Sequence, residues 1–257
     1  MIRQFMIEQD PVFFLGNETL SCIVRIRFSQ AELLHFGAPL LPEDAEALSL
    51  KPGTGWGCGI LYDQADPTSC LDTRPLAWSG SGTGDYRESP MELTIEGVPA
   101  VPDFVYSSFR VLDAPPAYTC SLPSAKGTCE TLELVFTSAS SLLGEKTTLS
   151  LYFSLYEMAL VRRVVFRNGS GKAVQITKMM SSMLDLKGRF DMTAFSGAWI
   201  AEMHPHRVPV TRSRVVNESV TGFSSNFTNP GFILSQTDTG EDAGEAYGFN
   251  LVWSGNH

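Results

Sequence analysis

The feature that most constrains this chain is a period-two apolar rhythm in its middle third. Leu132, Leu134 and Phe136 alternate with Thr131, Glu133 and Val135, and Leu149, Leu151, Phe153 and Leu155 repeat the pattern. Successive side chains of a strand point to opposite faces, so each run commits to an extended segment with one apolar face. Gly144-Glu145-Lys146 supplies turn chemistry between them, which predicts a hairpin. A second hairpin is predicted directly after it. Leu160 to Arg167 reads as a strand, Asn168-Gly169-Ser170-Gly171 can adopt the positive φ values of a tight loop, and Val174 and Ile176 resume the alternation.

Further strands are predicted at Ser21 to Arg27, Phe104 to Val111, Gly231 to Ser235 and Ala246 to Trp253. Helical periodicity is scarce. Ser29-Gln30-Ala31-Glu32 has the form of a capping box opening a short helix over Leu33 to Phe36, and Pro42 to Leu48 is the other helical candidate. Many short strands punctuated by Gly and Pro predict an all-β fold, a large antiparallel β-sandwich, with residues 1–257 as a single domain. Residues Lys51 to Pro90 differ, being dense in Gly, Ser, Asp and Pro with isolated aromatics. Loop-rich stretches on a rigid sheet scaffold are where function concentrates.

Composition narrows the function classes. With 43% hydrophobic and 18% charged residues the chain is globular, and a net charge of −9 leaves no basic stripe to neutralise phosphates, so nucleic acid is excluded as an expected partner. Cys22, Cys58, Cys70, Cys120 and Cys129 form no C-x-x-C pair and fit reduced thiols, which favours a cytoplasmic setting. Glu8 and Asp10 interrupt the apolar run a signal peptide would need, and no segment reaches membrane-spanning length, so no membrane partner is expected. Sequons at Asn17, Asn168, Asn217 and Asn226 would matter only in a secretory protein.

Four motifs can carry chemistry. Gly53-Thr54-Gly55-Trp56-Gly57-Cys58-Gly59 is glycine-rich enough to cradle an anion, but no Lys-Ser/Thr pair and no amphipathic helix follow it. The alternative is a loop that presents Trp56 to the apolar face of a sugar. His204-Pro205-His206, with Glu202 beside it, puts two imidazoles on one side of an extended segment, yet no second cluster completes a metal set, and a surface loop is the favoured reading. No cofactor is expected. In Gly84-Asp85-Tyr86-Arg87 the acid and base lie two apart on one side of an extended chain, where they can brace a loop through charge-assisted hydrogen bonds. The acidic turn Glu241-Asp242-Ala243-Gly244-Glu245 reads as solvated. No pair of catalytic carboxylates can be assigned, because sequence alone fixes no separation between them.

The order of several motifs resembles the N-terminal domain of glycoside hydrolase family 36. They are Gly82-Thr83-Gly84-Asp85-Tyr86-Arg87 with Pro90, Asp103-Phe104-Val105-Tyr106 with Phe109-Arg110, Glu130-Thr131-Leu132-Glu133, and Arg162-Arg163 before Asn168-Gly169. Leu184-Asp185-Leu186, Gly197-Ala198-Trp199, Ser224-Ser225-Asn226 with Asn229-Pro230, and Glu245-Ala246-Tyr247-Gly248-Phe249 with Ser254-Gly255-Asn256 continue it, so the resemblance runs from about Phe13 to the end. The resemblance implies an N-terminal β-supersandwich of an α-galactosidase, a retaining enzyme that hydrolyses terminal α-galactosides of the raffinose and melibiose type. In that family the catalytic aspartates lie in barrel motifs of the Lys-Trp-Asp and Ser-Asp-Asp type, and neither motif occurs in this chain. Homotetramers in which an N-domain loop reaches a neighbour's active site are also implied. The corresponding stretch is Lys51 to Leu71, with Trp56 the substrate-binding candidate by chemistry alone, since this chain has Gly53 to Gly59 where bacterial members carry charged residues.

The closing Ser254-Gly255-Asn256 turn after an apolar strand predicts that the product continues past His257, with the last strands of the sandwich and the barrel beyond it. The chain alone is then catalytically silent. Two other readings compete: a free-standing carbohydrate-binding module using Trp56, Trp78 or Tyr62, and a sugar epimerase with His204 or His206 as acid and a glutamate as base.

Overall fold

A computed structural model describes residues 1–49, 60–80, 82–117, 123–223 and 227–257. The chain divides into two compact units, the first made of Met1–Pro116 and Gly127–Asp185 and the second of Ala117–Lys126 and Leu186–His257. All sheet pairing among the described strands is antiparallel.

The first unit opens with a four-stranded meander, β1 (Ile2–Ile7), β2 (Asp10–Gly16), β3 (Ser21–Arg27) and β4 (Gln30–Gly37). A second sheet has the order β10-β9-β8-β7, built from β7 (Phe104–Leu112), β8 (Glu130–Ser138), β9 (Thr148–Leu155) and β10 (Leu160–Arg167). A third has the order β11-β5-β6, from β5 (Met91–Ile95), β6 (Val98–Ala100) and β11 (Val174–Met179). The central core gathers one face from each sheet: Phe13, Leu15, Cys22 and Val24 from the first, Leu132, Leu134, Leu149, Leu151 and Phe153 from the second, and Met91, Leu93 and Ile95 from the third. The five residues from the second sheet are among those picked out by the period-two rhythm. Strand β2 is buried on its other face too. There Val12 and Phe14 pack with Ile23 against Ala45 and Leu48 of the short helix α1 (Ala45–Leu48), entered through a 3-10 turn at Pro42–Asp44. The helical expectation for Pro42 to Leu48 holds, and the helix serves as a lid on a two-sided strand.

Two local expectations fail. Ser29 to Phe36 is not helical but belongs to the β3–β4 hairpin. Phe28 and Ser29 both take positive φ, 52° and 58°, the backbone of a tight two-residue hairpin turn, and Arg27 then faces Gln30. Cross-strand burial of Ala31 and Leu33 overrides the local capping pattern. The predicted second hairpin is also absent: β10 pairs with β9, whereas β11 pairs with β5. The Asn168 side chain explains the change of course, since it accepts from the Ser170 amide and hydroxyl and donates to the Lys172 carbonyl at 2.8 Å. Such an Asx turn redirects the chain instead of returning it alongside β10.

The polar face of β8 and β9 is buried as well. Glu133 accepts from Tyr152 Oη and Arg110 Nε, both at 2.7 Å, and Thr131 bonds Ser154 at 2.8 Å. Burial, with the Glu133 hydrogen bond, raises the pKa of Tyr152.

The second unit holds one sheet of order β13-β12-β14-β15, comprising β12 (Phe190–Ala198), β13 (Ala201–Pro209), β14 (Thr228–Gln236) and β15 (Ala246–Asn250). The last strand is shorter than predicted, because Trp253 N bonds back to Leu251 O at 2.9 Å and turns the backbone off the sheet. Among the described residues no helix is long and apolar enough to cross a membrane. Cys22, Cys70 and Cys129 stand outside any disulfide, and burial pushes the pKa of Cys22 up to about 12.

Candidate functional site

The loop-rich stretch between β4 and β5 is held to the first unit by a series of polar anchors. Residues 62–69 close on themselves through fully buried Ser69. Its hydroxyl donates to the Asp63 and Asp66 carbonyls at 2.9 and 2.8 Å, while Asp63 N donates to it and Tyr62 N donates to its carbonyl. Asp66 caps the turn by accepting from the Thr68 hydroxyl and amide, and these hydrogen bonds hold its carboxyl below the usual aspartate range.

Tyr62 then reaches β4 and the entry to β7. Its hydroxyl donates to Asp103 Oδ1 at 3.1 Å and accepts from Gln30 Nε2 at 3.1 Å, and the same Gln30 nitrogen lies 3.0 Å from Phe104 O. Burial raises the pKa of both Tyr62 and Asp103.

At the far end Arg87 is a hub. It grips Asp85 in a fork, Nε to Oδ1 at 2.8 Å and Nη2 to Oδ2 at 2.9 Å, and its own amide closes the turn on Asp85 Oδ1 at 3.1 Å. The guanidinium also donates to Arg74 O at 2.7 Å and Leu71 O at 3.0 Å, and pairs with Asp185. Bidentate geometry of this kind is strong and directional. Burial works against ionisation of Asp85, but hydrogen bonds from Arg87 and Ser79 outweigh it and leave the pKa lowered. The structure thus brings together Asp85 and Arg87, two of the residues singled out from sequence.

Gly84 closes the anchor against Ile60. It has φ of +87°, and a Cβ there would sit 2.8 Å from Ile60 O. Gly97, with φ of +83°, has open space around its Cβ position. Gly84→Ala is expected to cost about 2–3 kcal/mol, combining left-handed strain of about 1–2 kcal/mol with displacement of Ile60, whereas Gly97→Ala costs the strain alone. Urea melts of the two variants should differ by at least about 1 kcal/mol; equal losses would show that Ile60 moves aside freely.

Trp56 and the Gly53–Gly59 run lie outside the described residues. Trp78 is 6% exposed and part of the central core, so it offers no stacking platform. His204 and His206 stand on exposed strand β13 opposite Ser196 and Ala194, so the expected surface loop is in fact a strand. Among the described residues no group of three or more His, Cys, Asp or Glu side chains could hold a metal ion.

Sequence reasoning missed a buried ion cluster beneath this stretch. Arg25 donates twice to Glu32 Oε2, at 2.9 and 2.6 Å, and Arg74 Nε lies 3.6 Å from Glu32 Oε1. The available signal was positional. Arg25 and Glu32 are equidistant from the Phe28–Ser29 turn, so a two-residue hairpin sets them opposite one another.

The N-terminal domain of glycosyl hydrolase family 36 matches residues 29–257. The chain belongs to glycoside hydrolase family 36. This family 36 chain is 30% identical over 259 residues to α-galactosidase 1 of Pediococcus pentosaceus, covering 97% of the chain and 34% of that protein. Its fold superposes on a crystal structure of a variant of α-galactosidase AgaA from Geobacillus stearothermophilus in complex with raffinose. The TM-score is 0.84 at 26% identity, over 95% of this chain and 34% of the other. The galactosidase domain of AgaSK shares the fold at a TM-score of 0.86 and 24% identity, over 99% of this chain and 36% of that one. The chain therefore spans about a third of the length of these relatives.

Proposed function

We propose that this chain is the non-catalytic N-terminal β-domain of an α-galactosidase that hydrolyses terminal α-galactosides of the raffinose and melibiose type. In this reading it supplies contacts of a homotetramer and, through Lys51 to Leu71 with Trp56, one rim of the substrate pocket; the enzyme is cytoplasmic. The observation that carries the reading is the family match over residues 29–257 in a chain one third as long as its α-galactosidase relatives. The chemistry of the described carboxylates agrees. A retaining glycosidase needs two carboxyl groups about 5–5.5 Å apart across a sugar. Here the buried carboxylates Glu32, Asp85 and Glu133 are each engaged by arginine and serve the scaffold.

The isolated chain is expected to show no turnover of a chromogenic α-galactoside, whereas a chimaera in which it replaces the matching third of AgaA should retain raffinose hydrolysis. Turnover by the isolated chain, abolished by a substitution within it, would overturn the reading.

A further inference from the structure

Asn168-Gly169 is the one Asn-Gly pair in the sequence, and the fold holds both residues in place. A Cβ on Gly169 would lie 2.2 Å from Lys146 O, so only glycine fits there. Asn168 uses both ends of its amide: Oδ1 accepts from the Ser170 amide at 3.0 Å and the Ser170 hydroxyl at 2.6 Å, and Nδ2 donates to Lys172 O at 2.8 Å. An aspartate would lose that donor. The turn thus requires a chemically fragile dipeptide, because a side-chain amide followed by an unhindered backbone nitrogen can close to a cyclic imide.

Both residues are exposed, so base and water reach them. The nucleophile, however, is engaged. Gly169 N donates to Thr147 Oγ1 at 3.1 Å, and Thr147 is fully buried, with its own hydroxyl proton committed to Leu143 O at 2.7 Å. Thr147 Oγ1 therefore meets the amide as an acceptor only. Deprotonation of Gly169 N costs this hydrogen bond, and the electron pair it uncovers points at Thr147 and not at Asn168 Cγ. Ring closure needs that pair on Cγ, with the Asn168 side chain turned out of its three hydrogen bonds.

We propose that Asn168 is a site of spontaneous deamidation and that Thr147 is the residue that restrains the reaction in the folded protein. Base removes the Gly169 amide proton, the nitrogen bonds to Asn168 Cγ, and the Cγ–Nδ2 bond breaks to release ammonia, which takes up the proton. Water then opens the imide at either carbonyl, leaving aspartate or isoaspartate. The sum is one water gained and one ammonia lost. The aspartate product sets a carboxylate oxygen against Lys172 O where the amide donated, two acceptors face to face, and so opens the turn that leads from β10 to β11.

The test incubates the full-length protein carrying this chain in mildly alkaline buffer and follows each asparagine by peptide mass mapping. Asn168 should convert more slowly in the folded parent than in the same protein unfolded in urea. Thr147→Val should speed conversion of the folded protein at Asn168 about threefold to tenfold, the weight of one neutral hydrogen bond. Thr147→Ser, which keeps the hydroxyl, should restore the parent rate. Urea below the unfolding transition separates restraint from lost stability: the Thr147→Val rate should stay level, whereas a route through global unfolding accelerates with denaturant. Ile95→Val, a change in the central core, should convert at the parent rate. A further measurement needs no variant. Exchange of the Gly169 amide proton with solvent should be about threefold to tenfold slower in the folded parent than in an unstructured Asn-Gly peptide. The proposal is overturned if that proton exchanges at the peptide rate, if the folded parent converts as fast as the unfolded chain, if Thr147→Val matches the parent, or if Ile95→Val or low urea reproduces its effect.

Discussion

Replacing Glu32 with alanine should destabilise the first unit by about 3–5 kcal/mol, the usual cost of removing one member of a buried ion cluster. Glu32 is 1% exposed, and the guanidiniums it holds, Arg25 and Arg74, are 3% and 2% exposed. Burial already lowers the pKa of Arg74, with Glu32 opposing that shift. Without the carboxylate, two buried cations are left to Asp10, which is 4.0 Å from Arg25 and already bonded to Arg27 at 2.9 Å. Asp10 cannot serve all three. Most of the cost is therefore the unpaired charge and not the lost attraction, and that distinction is measurable. The triple replacement Arg25→Met, Glu32→Leu, Arg74→Met should recover most of the stability lost in Glu32→Ala, because it removes the charges together with their desolvation. Urea denaturation at neutral pH gives both numbers. A loss below about 1 kcal/mol for Glu32→Ala would show that water reaches the cluster.

How much of this was legible in the sequence follows from where the information lies. Period-two alternation of apolar residues is a local property of an extended chain, so β8 and β9 were readable residue by residue. Strand partners are not local. Nothing in Val174 to Met179 distinguishes pairing with β10 from pairing with β5; the decision sits in the hydrogen bonds of Asn168, whose geometry a string of letters does not display. The β3–β4 turn misled for a related reason. Ser29 and Glu32 have the spacing of a capping box, but Glu32 is opposite Arg25 only once the hairpin exists. At the candidate site, Asp85 and Arg87 were legible because their pairing is a two-residue event, whereas Tyr62 and Asp103 are 41 residues apart and meet only through the fold.

Arg87→Met is the second large effect, and its pH dependence identifies the cause. At neutral pH the variant should lose about 3 kcal/mol, the lower end of the range for a broken buried pair because the Arg87 side chain is 24% exposed. Asp85, with a fully buried side chain, loses its fork, and Asp185 loses its cation. In the parent, burial pushes Asp85 up but its hydrogen bonds bring the folded pKa below that of an unfolded aspartate, about 3.9. Asp85 therefore contributes stability that is present above that value and is lost as pH falls through the folded pKa. Removing Arg87 leaves burial dominant and drives the folded pKa above the unfolded one, which reverses the sign: the variant loses stability as pH rises between the two. Asp185 moves the same way, since burial already raises its pKa against the pull of Arg87. The difference between parent and variant should thus be largest near pH 7 and shrink toward pH 3, where both aspartates are protonated in the variant and the penalty for an unpaired charge vanishes. Denaturant melts of both proteins across that interval measure it. A difference that stays constant with pH would mean that the carbonyls of Leu71 and Arg74, and not the two carboxylates, are what Arg87 secures.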